Sequence, residues 1–248
     1  MSKKYKNPPI VEAIFEIQLS DDTNWDPTVP GLMYEKLKGE FPTLGKALVQ
    51  EVKVNQDKDK LKNINIVSIE RTLFFAENKK SFVQLAPRLL IVNVLKPYPS
   101  WESFQRLIEL AWNRLKDVVN INGIKYVELR YINNIELSSC SVELKDYFVF
   151  YPFVGESFPQ QINSFIVGIE FQYAEDRDVC RAILTKNKCL QNENKVQFTL
   201  DLRYFTTKSN EIGSSKVLEW VEEAHLNIGD VFEACITDKL RSTFKEDE

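Results

Sequence analysis

The chain has 248 residues, of which 44% are hydrophobic, 12% aromatic and 27% charged, with a formal net charge of −4 and a pI of about 5.4. This composition is typical of a folded globular protein and argues against a disordered chain. Proteins that bind duplex nucleic acid usually have a basic excess, so its lack disfavours nucleic acid as a main partner without excluding a local basic patch. The apolar runs fall short of the roughly 18 residues that a membrane-spanning helix needs, so no membrane segment is predicted.

Strand and helix patterns alternate in the first half of the sequence. Period-two alternation over residues 10–19 predicts a strand, and a short helix is predicted at 31–41. Apolar side chains at spacings of three and four, with Ser100 as N-cap, predict a long amphipathic helix that starts at Trp101 and ends near residue 120. Between the two helices, further strands are predicted at 47–55, 64–76, 81–86 and 89–95.

The second half opens in the same way and then differs in its middle. Residues 125–137 alternate as a strand, and residues 142–150 are predicted to form a short helix. The last helix is predicted to run from a cap at Ser214 and Ser215 to about residue 244, with Trp220 off its apolar stripe. The strands between these helices are predicted at 165–173, 178–185 and 195–206.

Both halves therefore contain a strand, a short helix, several strands and a long helix. We expect an α+β fold made of two pseudo-repeated antiparallel halves, residues 1–122 and 123–248, with the long helices on one face. Such an arrangement is the saddle of the TATA-binding-protein type. One continuous sheet across both halves is the alternative, because no flexible linker separates them.

Cysteine and histidine usage bears on compartment and metal binding. None of Cys140, Cys180, Cys189 and Cys235 forms a Cys-x-x-Cys pair, which predicts reduced thiols and a cytoplasmic protein. No secretory signal pattern follows Met1, which agrees with that location. With a single histidine, the chain lacks the usual spacing of zinc ligands, so neither a metal nor another cofactor is predicted.

Three blocks of sequence are similar to a sporadically distributed family of uncharacterised prokaryotic proteins. They are residues 7–17 (NPPIVEAIFEI), residues 129–135 (LRYINNI), and the segment 223–241, which contains EAH, VFE and ITDKLR. The resemblance spans nearly the whole chain and implies a cytosolic microbial protein with patchy inheritance. It implies phage defence or a mobile element as the setting, and it transfers no catalytic residue.

Polar residues alternate along two predicted strands. Arg130 and Asn134 share one face of the 125–137 strand with acidic neighbours, and Arg203 lies beside Asp201 on the same face of a later strand. If these strands are neighbours, the face could receive a phosphate or carboxylate, because arginine forks suit both. We predict a ligand site of Arg130, Asn134, Arg203 and Glu12. The alternative is a solvated sheet face of ion pairs.

Two tryptophans are candidates for contacts with a partner. Trp220 falls off the final helical stripe and Trp25 lies in the first loop, so both are predicted to be exposed partner anchors. Trp101 and Trp112 fit the stripe of their helix, which core packing explains. His225 lies among apolar neighbours at helical spacing, and we expect a buried histidine bonded to the backbone in place of a catalytic one.

The functional prediction is a non-catalytic binding or adaptor protein that docks a protein partner or forms a homodimer. A small-molecule or nucleotide sensor that uses the arginine-bearing sheet face is the alternative. A metal-dependent nuclease is the third hypothesis: Glu51 and Lys53 resemble the carboxylate-x-lysine end of restriction-type nuclease sites, and Asp201 would supply the further acid. Three-residue matches of this kind are frequent by chance.

Overall fold

The structure is a computed structural model that describes residues 5–55, 63–159, 162–187 and 194–245, without the side chains of residues 51–55 and 63–67. Within these ranges the chain forms nine strands. They are β1 (Ile10–Leu19), β2 (Thr43–Asn55), β3 (Asn63–Phe75), β4 (Ser81–Ala86), β5 (Leu89–Leu95), β6 (Ile124–Leu137), β7 (Phe165–Tyr173), β8 (Asp178–Lys186) and β9 (Val196–Thr206).

All nine strands belong to one open antiparallel sheet in the order β2-β3-β4-β5-β1-β6-β9-β8-β7. At its centre β1 pairs with β6, where Phe15 lies opposite Leu129. The sheet therefore continues from residues 1–122 into residues 123–248, as the single-sheet alternative predicted. The α+β class is confirmed, and the internal repeat and the saddle stay predictions.

Four helices accompany the sheet: α1 (Val29–Leu37), α2 (Trp101–Val118), α3 (Val217–Cys235) and α4 (Asp238–Arg241). Helix α2 begins as predicted, because the Ser100 side chain accepts a hydrogen bond from the Ser103 amide at 3.2 Å. The prediction of one helix to residue 244 is wrong. Ile236 is extended, with φ −116° and ψ 152°, and Thr237 caps the separate helix α4. The helix predicted at 142–150 is a single 3-10 turn, Leu144–Asp146.

The helices cover one face of the sheet, and the core lies between them. Along β9, Phe198, Leu200 and Leu202 are fully buried while the residues between them are partly exposed, which is the alternation of a strand with one covered face. Side chains from both halves form one continuous hydrophobic cluster. Each large apolar side chain that is removed from water in this way contributes about 1.5–3 kcal/mol.

The cysteines depart from the sequence-based expectation in one respect. Cys180 and Cys235 are free and buried, and burial raises the pKa of each thiol to about 12. Cys140 is disulfide-bonded, so the prediction of reduced thiols is wrong at that position. In the described ranges, no helix combines the length and apolar character needed to cross a membrane.

Candidate functional site

The structure brings the predicted polar residues together on the sheet face that the helices leave uncovered. Strands β6 and β9 are neighbours, and Arg130 lies directly opposite Arg203. Glu12 lies on the adjoining strand β1, whose Ile14 pairs with Arg130, and Asn134 is exposed four residues further along β6. This surface, which we call the open face, therefore contains all four predicted ligand residues.

Both arginines of the open face are already engaged by carboxylates. Arg130 binds Asp201 with two parallel hydrogen bonds, Nε to Oδ1 at 2.8 Å and Nη2 to Oδ2 at 2.7 Å. Arg203 donates through Nε to Glu128 at 3.0 Å, and the Glu128 side chain is only 5% exposed. The hydrogen bonds to Asp201 raise the pKa of Arg130. A ligand anion would have to displace these carboxylates, so the geometry favours the ion-pair interpretation.

Glu12 belongs to a chain of hydrogen bonds that crosses four strands of the open face. Asn93 donates to Glu12 at 2.8 Å, Gln84 donates to Asn93 at 2.8 Å, and Arg71 donates to Gln84 at 3.3 Å. The partner of Glu12 is therefore an amide and not a guanidinium. This series of hydrogen bonds links β3, β4, β5 and β1. Because its amide is hydrogen-bonded on both sides, Asn93 can be only 3% exposed without a desolvation penalty.

A cleft of about 780 Å³ lies on the opposite, helix-covered side of the sheet. Its walls are the segment before β1, the start of α2 and one side of α3, and its floor is formed by β6 and β9. The segment before β1 is held there by backbone hydrogen bonds from Lys6 to Lys245 and from Asn7 to Phe244, at 2.8 and 3.0 Å. The polar and aromatic side chains of the cleft include Tyr5, Lys6, Tyr98, Trp101, Glu102, Tyr131, Glu222, His225 and Glu233.

Stacked aromatic rings line the cleft. The rings of Trp101 and His225 are parallel within 7° and their centroids are 3.8 Å apart. The His225 Nδ1 lies 3.0 Å from the Tyr131 hydroxyl, so His225 bonds to a side chain and not to the backbone as predicted. Burial lowers the pKa of His225 to about 4, which makes the imidazole neutral at pH 7. Tyr98 completes the wall with an edge-to-face contact to Tyr131 at 6.0 Å.

Two glutamates of α3 fix the sides of the cleft. Glu222 Oε2 accepts hydrogen bonds from Trp101 Nε1 at 3.1 Å and from Gln105 Nε2 at 2.7 Å, which ties α2 to α3. Glu233 accepts from the Tyr5 hydroxyl at 2.6 Å and from Arg241 Nε at 2.7 Å. Glu233 is thus neutralised by a guanidinium, whereas both hydrogen bonds to Glu222 come from uncharged groups.

Sequence reasoning did not identify this cleft, although a signal was present. The sequence blocks 7–17, 129–135 and 223–241 all reach it: Pro9 comes from the first, Tyr131 from the second, and His225 and Glu233 from the third. Trp101 and Glu222 lie outside these blocks. Only the pairing of distant strands and helices reveals that they meet.

The predicted exposure of Trp220 is wrong. Its side chain is 2% exposed and its Nε1 donates to Asp178 Oδ2 at 3.2 Å. Helix α3 is rotated relative to the stripe inferred from the sequence, so that Trp220 and Ala224 point into the core. Trp25 is half-buried and packs against the core. A role for either tryptophan in partner binding stays a prediction, and a buried Trp220 does not favour it.

Apolar side chains are exposed on both faces of the edge strand β7. On the helix-covered side Ile169 is 38% and Phe171 40% exposed, and on the other side Ile166 is 77% exposed. The loop that precedes β7 adds further exposed side chains, among them Phe153 at 91%. Exposed apolar clusters of this kind mark contact surfaces in soluble proteins.

The nuclease hypothesis gains no geometric support. The side chains of Glu51 and Lys53 lie outside the described residues, and Asp201 is bound by Arg130. Across the described part of the chain, no three His, Cys, Asp or Glu side chains are grouped to hold a metal ion.

No family model matches the chain, and no curated protein matches it.

Proposed function

We propose that this chain is a non-catalytic binding or adaptor protein that docks a protein partner at the edge strand β7, and that this partner is a second copy of the chain. The observation that carries the proposal is the exposed apolar surface of β7. Val167, Ile169 and Phe171 all point to the helix-covered side of the sheet, where they pair with buried residues of β8. Although they lie on the covered side, Ile169 and Phe171 are each more than a third exposed.

The sequence of β7 is complementary to itself in an antiparallel arrangement. If two copies pair about Ile169, all nine residues find a partner. Val167 lies opposite the second copy's Phe171, and Phe165 lies opposite the second copy's Tyr173. The apolar stripe of one copy then meets the apolar stripe of the other. Glu170 lies opposite a glycine and not opposite a second carboxylate, so the pairing brings no like charges together.

Strand β7 also lacks the features that protect a sheet edge. It contains no proline or lysine, and its register with β8 runs unbroken from Phe165 opposite Lys186 to Tyr173 opposite Asp178. Its one charged residue, Glu170, accepts a hydrogen bond from Arg181 within the chain at 2.6 Å. An unprotected edge with apolar side chains is a template for pairing with another strand.

Joining two copies at β7 would place two open faces side by side in one longer sheet, which suits an adaptor. The resemblance supports a microbial defence or mobile-element setting for such an adaptor.

We also propose that the two halves of the chain arose by duplication into a saddle, with β1 and β6 as equivalent central strands. Each half has a long helix after its last strand, α2 in the first half and α3 in the second, which supports this proposal.

Sedimentation velocity of the purified chain and of Ile169→Lys tests the docking proposal. We expect a dimer for the unaltered chain and a monomer for the variant, because two lysines would meet on the symmetry axis. Leu48→Lys is the matched control: Leu48 is a 76% exposed apolar residue on β2, at the other edge of the sheet. The proposal fails if the unaltered chain is monomeric, or if Ile169→Lys dimerises as tightly as Leu48→Lys.

A small-molecule or nucleotide sensor is the second proposal, with Arg130, Asn134, Arg203 and Glu12 as its ligand residues. Their presence on one face supports it. It requires that a ligand replaces Asp201 on Arg130, so a strong ion pair between these two residues counts against it.

A further inference from the structure

The cleft on the helix-covered side has the size and composition of a small-molecule site. Its volume of about 780 Å³ falls within the range of roughly 300–1,000 Å³ that is typical of ligand pockets. Most of its walls are aromatic or aliphatic, with a few polar groups that converge from α2, α3 and β6. It lies on the other side of the sheet from the open face and away from β7, so its function is independent of docking.

The walls of the cleft are held in place before any ligand arrives. Trp101 is fixed on its ring face by the stacked His225 and on its Nε1 by Glu222. His225 is in turn fixed by the Tyr131 hydroxyl at 3.0 Å. A rigid wall of this kind loses little conformational entropy when a ligand binds.

The charge of the cleft favours a cation. Among the described residues that line it, three are glutamates and one, Lys6, is a lysine. Glu233 is compensated by Arg241, but Glu222 receives its hydrogen bonds from an indole and an amide. Both of these bonds reach Oε2, and within the described ranges Oε1 receives no hydrogen bond. Glu222 therefore offers an oxygen with unused acceptor capacity beside an aromatic ring.

A second polar group in the wall also has unused hydrogen-bonding capacity. The Tyr98 hydroxyl is buried near that of Tyr131, yet it makes no hydrogen bond of normal geometry with any described residue. Buried hydroxyls are nearly always hydrogen-bonded, so an orphaned one beside a cleft indicates a group that a ligand can satisfy.

We propose that this cleft binds a small organic cation, in which an ammonium group is held by Glu222 and an aromatic or apolar body packs against Trp101 and Tyr98. A carboxylate next to an aromatic face is the usual combination for such ligands, because charge attraction and the cation–π interaction act on the same group. An anionic ligand meets an excess of glutamates and is disfavoured.

Isothermal titration calorimetry of the full chain tests this proposal with two probes of similar size and opposite charge, 2-phenylethylammonium and phenylacetate. We expect the ammonium to bind about tenfold or more tightly than the carboxylate, a difference that corresponds to a modest electrostatic preference. Glu222→Gln keeps an oxygen acceptor for Trp101 and Gln105 but removes the charge, and it should weaken ammonium binding about tenfold. The variant's circular dichroism spectrum confirms that it folds.

Glu219→Gln is the matched control on the same helix, because Glu219 is exposed and pairs with Lys216 outside the cleft. It should leave the affinity for the ammonium unchanged within about twofold. The proposal is overturned if phenylacetate binds as tightly as the ammonium, if Glu222→Gln binds as well as Glu219→Gln, or if neither probe binds at millimolar concentration. Ile169→Lys should retain ammonium binding, which separates this proposal from the docking proposal.

Discussion

A buried carboxylate beneath α3 gives the sharpest stability prediction. Asp178 is 0% exposed, and its Oδ2 accepts hydrogen bonds from three side chains. Arg177 Nη2 donates at 2.6 Å, and Tyr204 Oη and Trp220 Nε1 each donate at 3.2 Å. The carboxylate therefore joins the start of β8 to β9 and α3. Asp178→Ala removes the acceptor and leaves all three donors behind.

The size of the loss in stability depends on which hydrogen-bond donors stay buried when Asp178 is removed. The Arg177 side chain is 27% exposed and can turn towards water, so the loss of its hydrogen bonds to Asp178 is partly offset. Trp220 Nε1 and the Tyr204 hydroxyl stay in the core, and an unsatisfied buried polar group costs about 1–3 kcal/mol. We expect Asp178→Ala to lower the free energy of unfolding by about 4 kcal/mol, within the range of about 3–5 for breaking a buried ion pair. Asp178→Asn keeps one oxygen acceptor and should cost about half as much.

Urea unfolding at pH 7 and one fixed protein concentration measures these values by linear extrapolation. Glu219→Ala is the control. The side chains of Lys216 and Glu219 are 63% and 69% exposed, so their ion pair should contribute less than about 0.5 kcal/mol. A loss below about 1 kcal/mol in Asp178→Ala, with an unchanged denaturant slope, would refute the reasoning. If Asp178→Ala does not fold, Asp178→Asn gives the comparison.

Two further predictions concern charged groups. Burial lowers the folded-state pKa of His225 to about 4 from an ordinary 6.5, so its contribution to stability is present above pH 6.5 and is lost as the pH falls towards 4. Between pH 7 and 5 the unaltered chain should lose about 2 kcal/mol more than His225→Gln in urea unfolding, and equal losses would contradict this. For Arg130 and Asp201, a double-mutant cycle to alanine should give a coupling energy of about 1–2 kcal/mol. A coupling near zero would instead favour a ligand-binding role for Arg130.

Local pattern was enough to predict most of the secondary structure. The strands Ile10–Leu19 and Leu89–Leu95 lie at the predicted residues, because strict alternation and a bounded apolar run are strong local signals. Helix α2 was also predicted, from its cap and its stripe. The end of α3 was not predicted. Ile236 follows Phe232 at helical spacing, so the apolar pattern does not mark the break, and its extended backbone is explained by its bridge to Phe148.

The candidate sites depended on contacts that local pattern does not contain. The polar residues of the open face were identified, because alternation places Arg130 and Arg203 on fixed faces of their strands. Their ion pairs required the register between β6 and β9. Trp220 was assigned to the wrong side of α3 because the buried stripe runs through Val217, Ala224 and Val231, a face that the sequence-based stripe did not include. The cleft joins segments more than 100 residues apart, such as Trp101 and Glu222, which are separated by 121 positions.

Cross-linking at the proposed symmetry axis tests the central claim most directly. In Ile169→Cys, two copies paired about residue 169 bring their new thiols within reach of a disulfide, whereas Leu48→Cys at the other edge should not cross-link. Both free cysteines among the described residues are buried, so they should not interfere. Under mild oxidation we predict a covalent dimer of twice 28.9 kDa for Ile169→Cys alone. A monomer, or equal cross-linking of both variants, would contradict docking at β7.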